Sequence, residues 1–130
     1  MKVLLDTNIF FWLLSDSDRI PDRVREIVAA NSTERCVSVA SIWEMAIKYR
    51  LGKMTLPSSP TEGVEEWLRL LVARSLTIEA RHALRAGELP RHHGDPFDRM
   101  LIAQAQLEEM TLVTSDRNFA RYDVKLLRAW

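Results

Sequence analysis

Short apolar runs, each followed by a stretch of helical spacing, constrain this chain more than any other feature. Lys2 to Leu5, Cys36 to Ser38, Leu76 to Ile78 and Thr111 to Thr114 read as strands, and Val124 to Leu126 is a short fifth candidate. Such runs are too short for buried helices and are bounded by turn formers. Strands that alternate with helices predict an α/β domain with a parallel sheet. No repeat, linker or low-complexity segment divides residues 1–130, so one domain is expected.

The helices follow from spacing and punctuation. Thr7 or Asn8 can cap a helix through Ile9 to Leu14. Pro21 suits the first turn of a second, reaching about Ala30. Ser38 or Ser41 could cap a third from Val39 to about Leu51, which Gly52 ends. Thr61 to Leu71 is a fourth, with Val64, Trp67, Leu68 and Leu71 on one face, and Glu79 to Ala86 a short fifth. Asp95 caps and Pro96 opens the last, which runs to Glu109.

Composition narrows the function. Lys plus Arg and Asp plus Glu both number 18, so no global positive field attracts nucleic acid. Nucleic-acid binding would have to be local or metal-mediated. Cys36 is the only cysteine, so no intrachain disulfide forms and a reducing cytoplasm is expected. Residues 1–6 do not read as a signal peptide, and no run approaches the length of a membrane span. The four glycines are too scattered for a nucleotide-binding loop, and no serine nucleophile elbow is present.

Four acids stand where a parallel sheet would bring them together. Asp6 and Asp116 each follow an apolar run, and Glu44 and Asp98 fall in what read as first turns of helices. Ligands of open α/β sheets bind beyond the carboxyl ends of the strands. Carboxylates packed there repel one another, so such a site needs a cation or must keep protons. Hard oxygen donors suit Mg²⁺ or Mn²⁺. Two such ions about 4 Å apart can activate a water and stabilise the leaving oxygen of a phosphodiester.

Each acid also has a structural explanation. Asp6 could cap the first helix. Glu44 lies three after Ser41, the spacing of a capping box, and four before Lys48, a helical ion pair. Asp116 could start a turn. Asp95 is the simplest cap of the last helix, which frees Asp98. His92 and His93 could bind phosphate or shuttle a proton but read more simply as residues of a solvated loop, and Arg99 reads as a phosphate contact or a surface ion pair. Trp12, Trp43 and Trp67 sit in apolar stripes and are expected in the core, whereas Trp130 suits a surface or an interface.

The combination is more specific than its members. Leu4-Leu5-Asp6-Thr7-Asn8, Ser41 to Lys48, His93 to Ala105 and Leu112 to Asp116 resemble, in order, the four acidic motifs of the PIN-domain family, and most closely its VapC-type toxins. The resemblance implies a three-layer α/β/α domain with a parallel sheet of about five strands. It implies Mg²⁺- or Mn²⁺-dependent cleavage of RNA by Asp6, Glu44, Asp98 and Asp116. Asp6 and Asp98 would be direct ligands, with Thr7, Asn8 and Thr114 in support. It further implies a homodimer and a cognate antitoxin. A second histidine, in His92-His93-Gly94, stands where the family's pattern has one.

Two rivals remain. A non-catalytic acidic groove would receive a basic partner or RNA without turnover. A phosphotransfer domain also clusters aspartates at strand ends, but Asn8 stands where its second acceptor aspartate would be. Arg81, Arg85 and Arg91 are candidate RNA contacts.

Overall fold

The computed structural model describes all 130 residues. Five strands form one sheet: β1 (Lys2–Leu5), β2 (Glu34–Ser38), β3 (Ala73–Leu76), β4 (Thr111–Thr114) and β5 (Leu126–Arg128). Their order is β3-β2-β1-β4-β5 and every pairing is parallel. Six α-helices connect them: α1 (Thr7–Ser15), α2 (Asp22–Ala29), α3 (Val39–Arg50), α4 (Pro60–Leu70), α5 (Ala80–Glu88) and α6 (Pro96–Leu107).

The central strands are buried on both faces, and alternation divides their side chains between two cores. Val3, Leu5, Val37 and Val113 pack with Ile9, Phe10, Val24, Met45 and Trp67, from α1 to α4. Leu4, Cys36 and Leu112 pack with Leu101, Ile102, Ala105 and Phe119 on the opposite face. The result is the expected three-layer α/β/α arrangement. Full burial of a side chain such as Leu4 or Leu5, on opposite faces of the sheet, contributes about 1.5–3 kcal/mol, which fixes the pleat of β1.

The chain builds β1, β2 and β3 in one direction, then returns to place β4 and β5 on the other side of β1. The order of strands therefore reverses between β1 and β4. A crevice opens beyond the carboxyl ends of strands at such a point. Asp6 follows β1 there, and its amide continues the ladder to Val113 O at 2.9 Å.

Several sequence expectations are corrected. The third strand is Ala73–Leu76 rather than Leu76 to Ile78; it is an edge strand with Arg74 and Ser75 exposed, so it lacks an apolar run. The fifth lies at Leu126–Arg128. The N-cap of α1 is Asp6, and neither Thr7 nor Asn8 caps it. Ser38 rather than Ser41 caps α3, accepting from the Ala40 amide at 3.0 Å. Trp43 is 62% exposed, with its edge against Phe97, instead of in the core. Trp67 is buried, and Trp12 is half-buried under the Arg19 guanidinium.

Candidate metal centre

The crevice gathers all four acids. Asp6 is only 5% exposed and Glu44 6%. The carboxyls of Asp98 and Asp116 are more open, at 16% and 34%.

Asp6 is held by Thr114, which ends β4 and donates its hydroxyl to Asp6 Oδ2 at 2.7 Å. The same Thr114 oxygen accepts the Asp116 amide at 3.0 Å. One hydroxyl thus ties two of the acids to the adjacent central strands. Asp116 also caps a 3-10 turn over Arg117–Arg121, its Oδ1 accepting from the Asn118 amide at 2.9 Å. Its structural and site roles use different oxygens.

Glu44 lies in the second turn of α3, not the first. Thr7 donates to its Oε1 at 2.7 Å, and the Thr7 hydroxyl lies 2.9 Å from Ser41 Oγ. Its Oε2 meets Lys48 Nζ at 2.7 Å. Burial opposes the Lys48 charge, but Glu44, with Asp95 and Asp98 beyond it, raises the lysine pKa on balance. Ser41 and Glu44 do not form a capping box; the helical pair with Lys48 is present.

Asp98 projects from the first turn of α6. Asp95 Oδ1 caps that helix, accepting from the amides of Phe97 at 2.8 Å and Asp98 at 3.3 Å. Asp95 is the cap, as expected, and the Asp98 carboxyl takes no part in capping.

His93, not His92, is the histidine that joins the site. Far from being a solvated loop residue, it lies between two acids, with Nε2 2.9 Å from Asp98 Oδ2 and 3.1 Å from Asp116 Oδ2. Its Nδ1 accepts the Asp95 amide at 3.2 Å. That bond assigns the proton of the neutral ring to Nε2, which donates to the carboxylates. His92 is exposed and meets the edge of Tyr122 instead. The earlier signal was the third motif, which opens at His93, but sequence alone left His92 and His93 undivided.

Other candidates divide. Asn8 is exposed, with no hydrogen bond to the quartet. Arg99 contacts no carboxylate; its guanidinium donates to the carbonyls of Ala86, Leu89, Pro90 and His93. Arg81 pairs with Glu79 and Glu108, and Arg85 with Gln106. Glu79, His82 and Glu108 form a second cluster, but the fully buried His82 accepts the amide of Glu79, the N-cap of α5, and Arg81 offsets the acids. Larger surface clefts, such as the one beside Glu34, Arg35 and Val72, contain none of the quartet.

The electrostatics of the quartet are unbalanced. Desolvation pushes Asp98 up to about 8, and the charges of Asp6, Asp95, Glu44 and Asp116 add to the effect. Desolvation likewise raises Asp6 to about 6, although the Thr114 hydrogen bond draws it back. Lys48 and His93 are the basic groups in direct contact, against four carboxyls. His93, Asp98 and Asp116 each bring an atom within 4.8 Å of the others, His93 by its protonated Nε2, so the two carboxyls lie close enough to share one ion. The donors suit a hard divalent cation, which would relieve the repulsion.

An open parallel sheet with a carboxylate cluster at its switch point defines a doubly wound α/β domain with an acidic site. Within that class the chain belongs to the PIN-domain family, whose sequence profile matches residues 3–125. The fold is similar to a chain of DNA-bound VapBC from Salmonella typhimurium, with TM-score 0.73 and 24% identity over 100% of this chain and 99% of that one. It is also similar to a chain of VapBC2 from Rickettsia felis bound to a promoter DNA fragment, with TM-score 0.70 and 21% identity over 98% of each chain. VapBC-1 from nontypeable Haemophilus influenzae gives TM-score 0.69 and 20% identity, again over 98% of each. At these identities the likeness concerns the fold. No curated protein matches the chain by sequence.

Proposed function

We propose that residues 1–130 act as one PIN-like unit, a divalent-metal-dependent endoribonuclease that is the toxin of a VapBC-type toxin–antitoxin pair. The observation that carries this reading is the convergence of Asp6, Glu44, Asp98 and Asp116 at the switch point, with too few cations to balance them. Mg²⁺ or Mn²⁺ held there would supply an activated water and stabilisation of the leaving oxygen.

The chain's own residues prepare the site. Asp6 and Asp98 serve as the direct ligands, Glu44 completes the donor set or orients water, and Asp116 acts directly or through water. Thr114 and Thr7 fix the carboxyls of Asp6 and Glu44. His93 holds Asp98 and Asp116 through Nε2–H and, as a donor, is not itself a ligand. Lys48 pairs with Glu44 Oε2 and so fixes the second oxygen of that carboxyl.

A cognate antitoxin, a homodimer and a cytoplasmic setting complete the proposal. Support comes from family membership and from folds shared with VapBC assemblies. No helix is long and apolar enough to cross a membrane. The test is cleavage of a mixed RNA pool by the purified chain, with EDTA and then with Mg²⁺ or Mn²⁺ restored. Metal-dependent cutting that Asp98→Asn removes is expected. RNA binding without metal-dependent turnover would leave the acidic-groove binding module as the better account.

A further inference from the structure

Beside the carboxylates lies a cleft of opposite character. It has a volume of about 350 Å³ and is lined by Gly87, Arg91, His92, His93, Gly94 and Arg99, with no acidic side chain among them. His93 is the wall it shares with the acidic site, since its Nε2 reaches Asp98 and Asp116.

The connection from α5 to α6 is wrapped around Arg99. The guanidinium takes the carbonyls of Ala86 at 2.8 Å, Leu89 at 2.9 Å, Pro90 at 3.0 Å and His93 at 3.3 Å. Tyr122 pins the loop as well, donating to Pro90 O at 2.9 Å and accepting the His93 amide at 2.8 Å. The carbonyls are thus engaged, whereas the amides of Arg91, His92 and Gly94 have no acceptor within the protein. No carboxylate is bonded to Arg99, and Arg91 is exposed and unpaired. A Cβ at Gly87 or Gly94 would meet nothing within 4 Å, so the cleft has room. Three unpaired amides and the free Arg91 guanidinium, on a loop that Arg99 holds fixed, are the chemistry of phosphate recognition.

We propose that this cleft is a phosphate subsite. It takes a backbone phosphate of single-stranded RNA when a nearby phosphodiester lies on the carboxylates, and in this it rests on the ribonuclease reading. A chain with no net charge needs such a local anchor. Arg91, among the three arginines considered as RNA contacts, is the one left free beside the site.

The test is the salt dependence of binding to a short mixed-sequence single-stranded RNA, with Ca²⁺ replacing Mg²⁺ and the RNA verified uncut. Each phosphate contact to a single strand contributes about 0.7 to the slope of log affinity against log salt. Arg91→Ala is expected to weaken binding about tenfold and to flatten the slope by about 0.7. Gly87→Glu, which introduces an acid, is expected to weaken it further. Arg50→Ala, at the C-terminal end of α3, serves as a control that leaves both quantities unchanged. Inorganic phosphate is expected to compete with RNA on the parent chain and much less on Arg91→Ala. Slopes equal to the parent's in both cleft variants overturn the subsite, as does equal competition by phosphate. Metal-dependent cleavage with unchanged slopes sinks the subsite alone; absence of cleavage sinks the ribonuclease reading whatever the slopes.

Discussion

Thr114 donates its hydroxyl to Asp6 at 2.7 Å across 108 positions of sequence, joining the carboxyl ends of two adjacent parallel strands. The bond is fully buried, and the same oxygen also receives the Asp116 amide. Thr114→Val keeps the shape and removes both interactions. A loss of about 1–3 kcal/mol is expected, because the buried Asp6 carboxyl loses its donor and the partly buried Asp116 amide its acceptor. Chemical denaturation measures it, and calorimetric titration with Mn²⁺ is expected to show weaker binding. Unchanged Mn²⁺ affinity would mean that Asp6 needs no such support.

Asp98 is expected to destabilise the metal-free chain once its carboxyl is charged. It brings a partly buried carboxyl into the field of Asp6, Asp95, Glu44 and Asp116. Asp98→Asn is therefore expected to raise the Tm of the EDTA-treated chain at about pH 8 while removing divalent binding. A lower Tm would show that the bond to His93 outweighs the repulsion.

The same shifts give a pH dependence with a definite sign. Asp6 and Asp98 have folded-state pKa values of about 6 and about 8, above the ordinary 3.8. The folded chain thus holds more protons than the unfolded chain between these limits. Their contribution to stability is complete below about pH 4 and is lost as pH rises through 6 and then 8. The metal-free Tm is expected to fall between about pH 5 and pH 8, and Asp98→Asn to remove most of the upper part of that fall. Divalent cations should raise the Tm more at the alkaline end, where protons no longer compete. A metal-free Tm that climbs over this range, with the Asp98→Asn profile parallel to it, refutes the assignment.

Lys48 and Glu44 should pull stability and metal binding in opposite directions. Lys48→Met leaves Glu44 buried with only Thr7 as its partner. Since the lysine is partly open to solvent, the cost is about 1–2 kcal/mol, less than for a fully buried pair. Removing a positive charge from the site is expected to tighten Mn²⁺ binding. If both quantities fell together, Lys48 would be organising the site rather than balancing it.

His93 offers a spectroscopic check. With Nδ1 taken by the Asp95 amide, Nε2 carries the proton and is not free to bind metal. Pulsed electron paramagnetic resonance of the Mn²⁺-loaded chain should show no directly bonded nitrogen. A strong nitrogen coupling that disappears in His93→Ala would make it a ligand.

Legibility followed burial and locality. Val3 to Leu5 and Leu112 to Val113 were readable as strands because central strands are apolar on both faces. Strand β3 was displaced because its exposed Arg74 and Ser75 break the apolar signal at the sheet edge. The acids stood out at strand ends, and the Glu44–Lys48 pair follows from helical spacing alone. His93 could not be told from His92, since its partner Asp116 is 23 residues away and reaches it only through the fold. The stripe containing Trp43 marked a helix but not the face that packs, which is how an exposed indole was expected in the core.

The placement of β4 beside β1 has a consequence for biosynthesis. A nascent chain can complete β1, β2 and β3 and the helices among them, yet it lacks both the Thr114 hydroxyl and Asp116. Until residue 116 has left the ribosome, no four-carboxylate cluster exists. A ribosome translating this chain is therefore not exposed to a finished site on the polypeptide it still carries before that point.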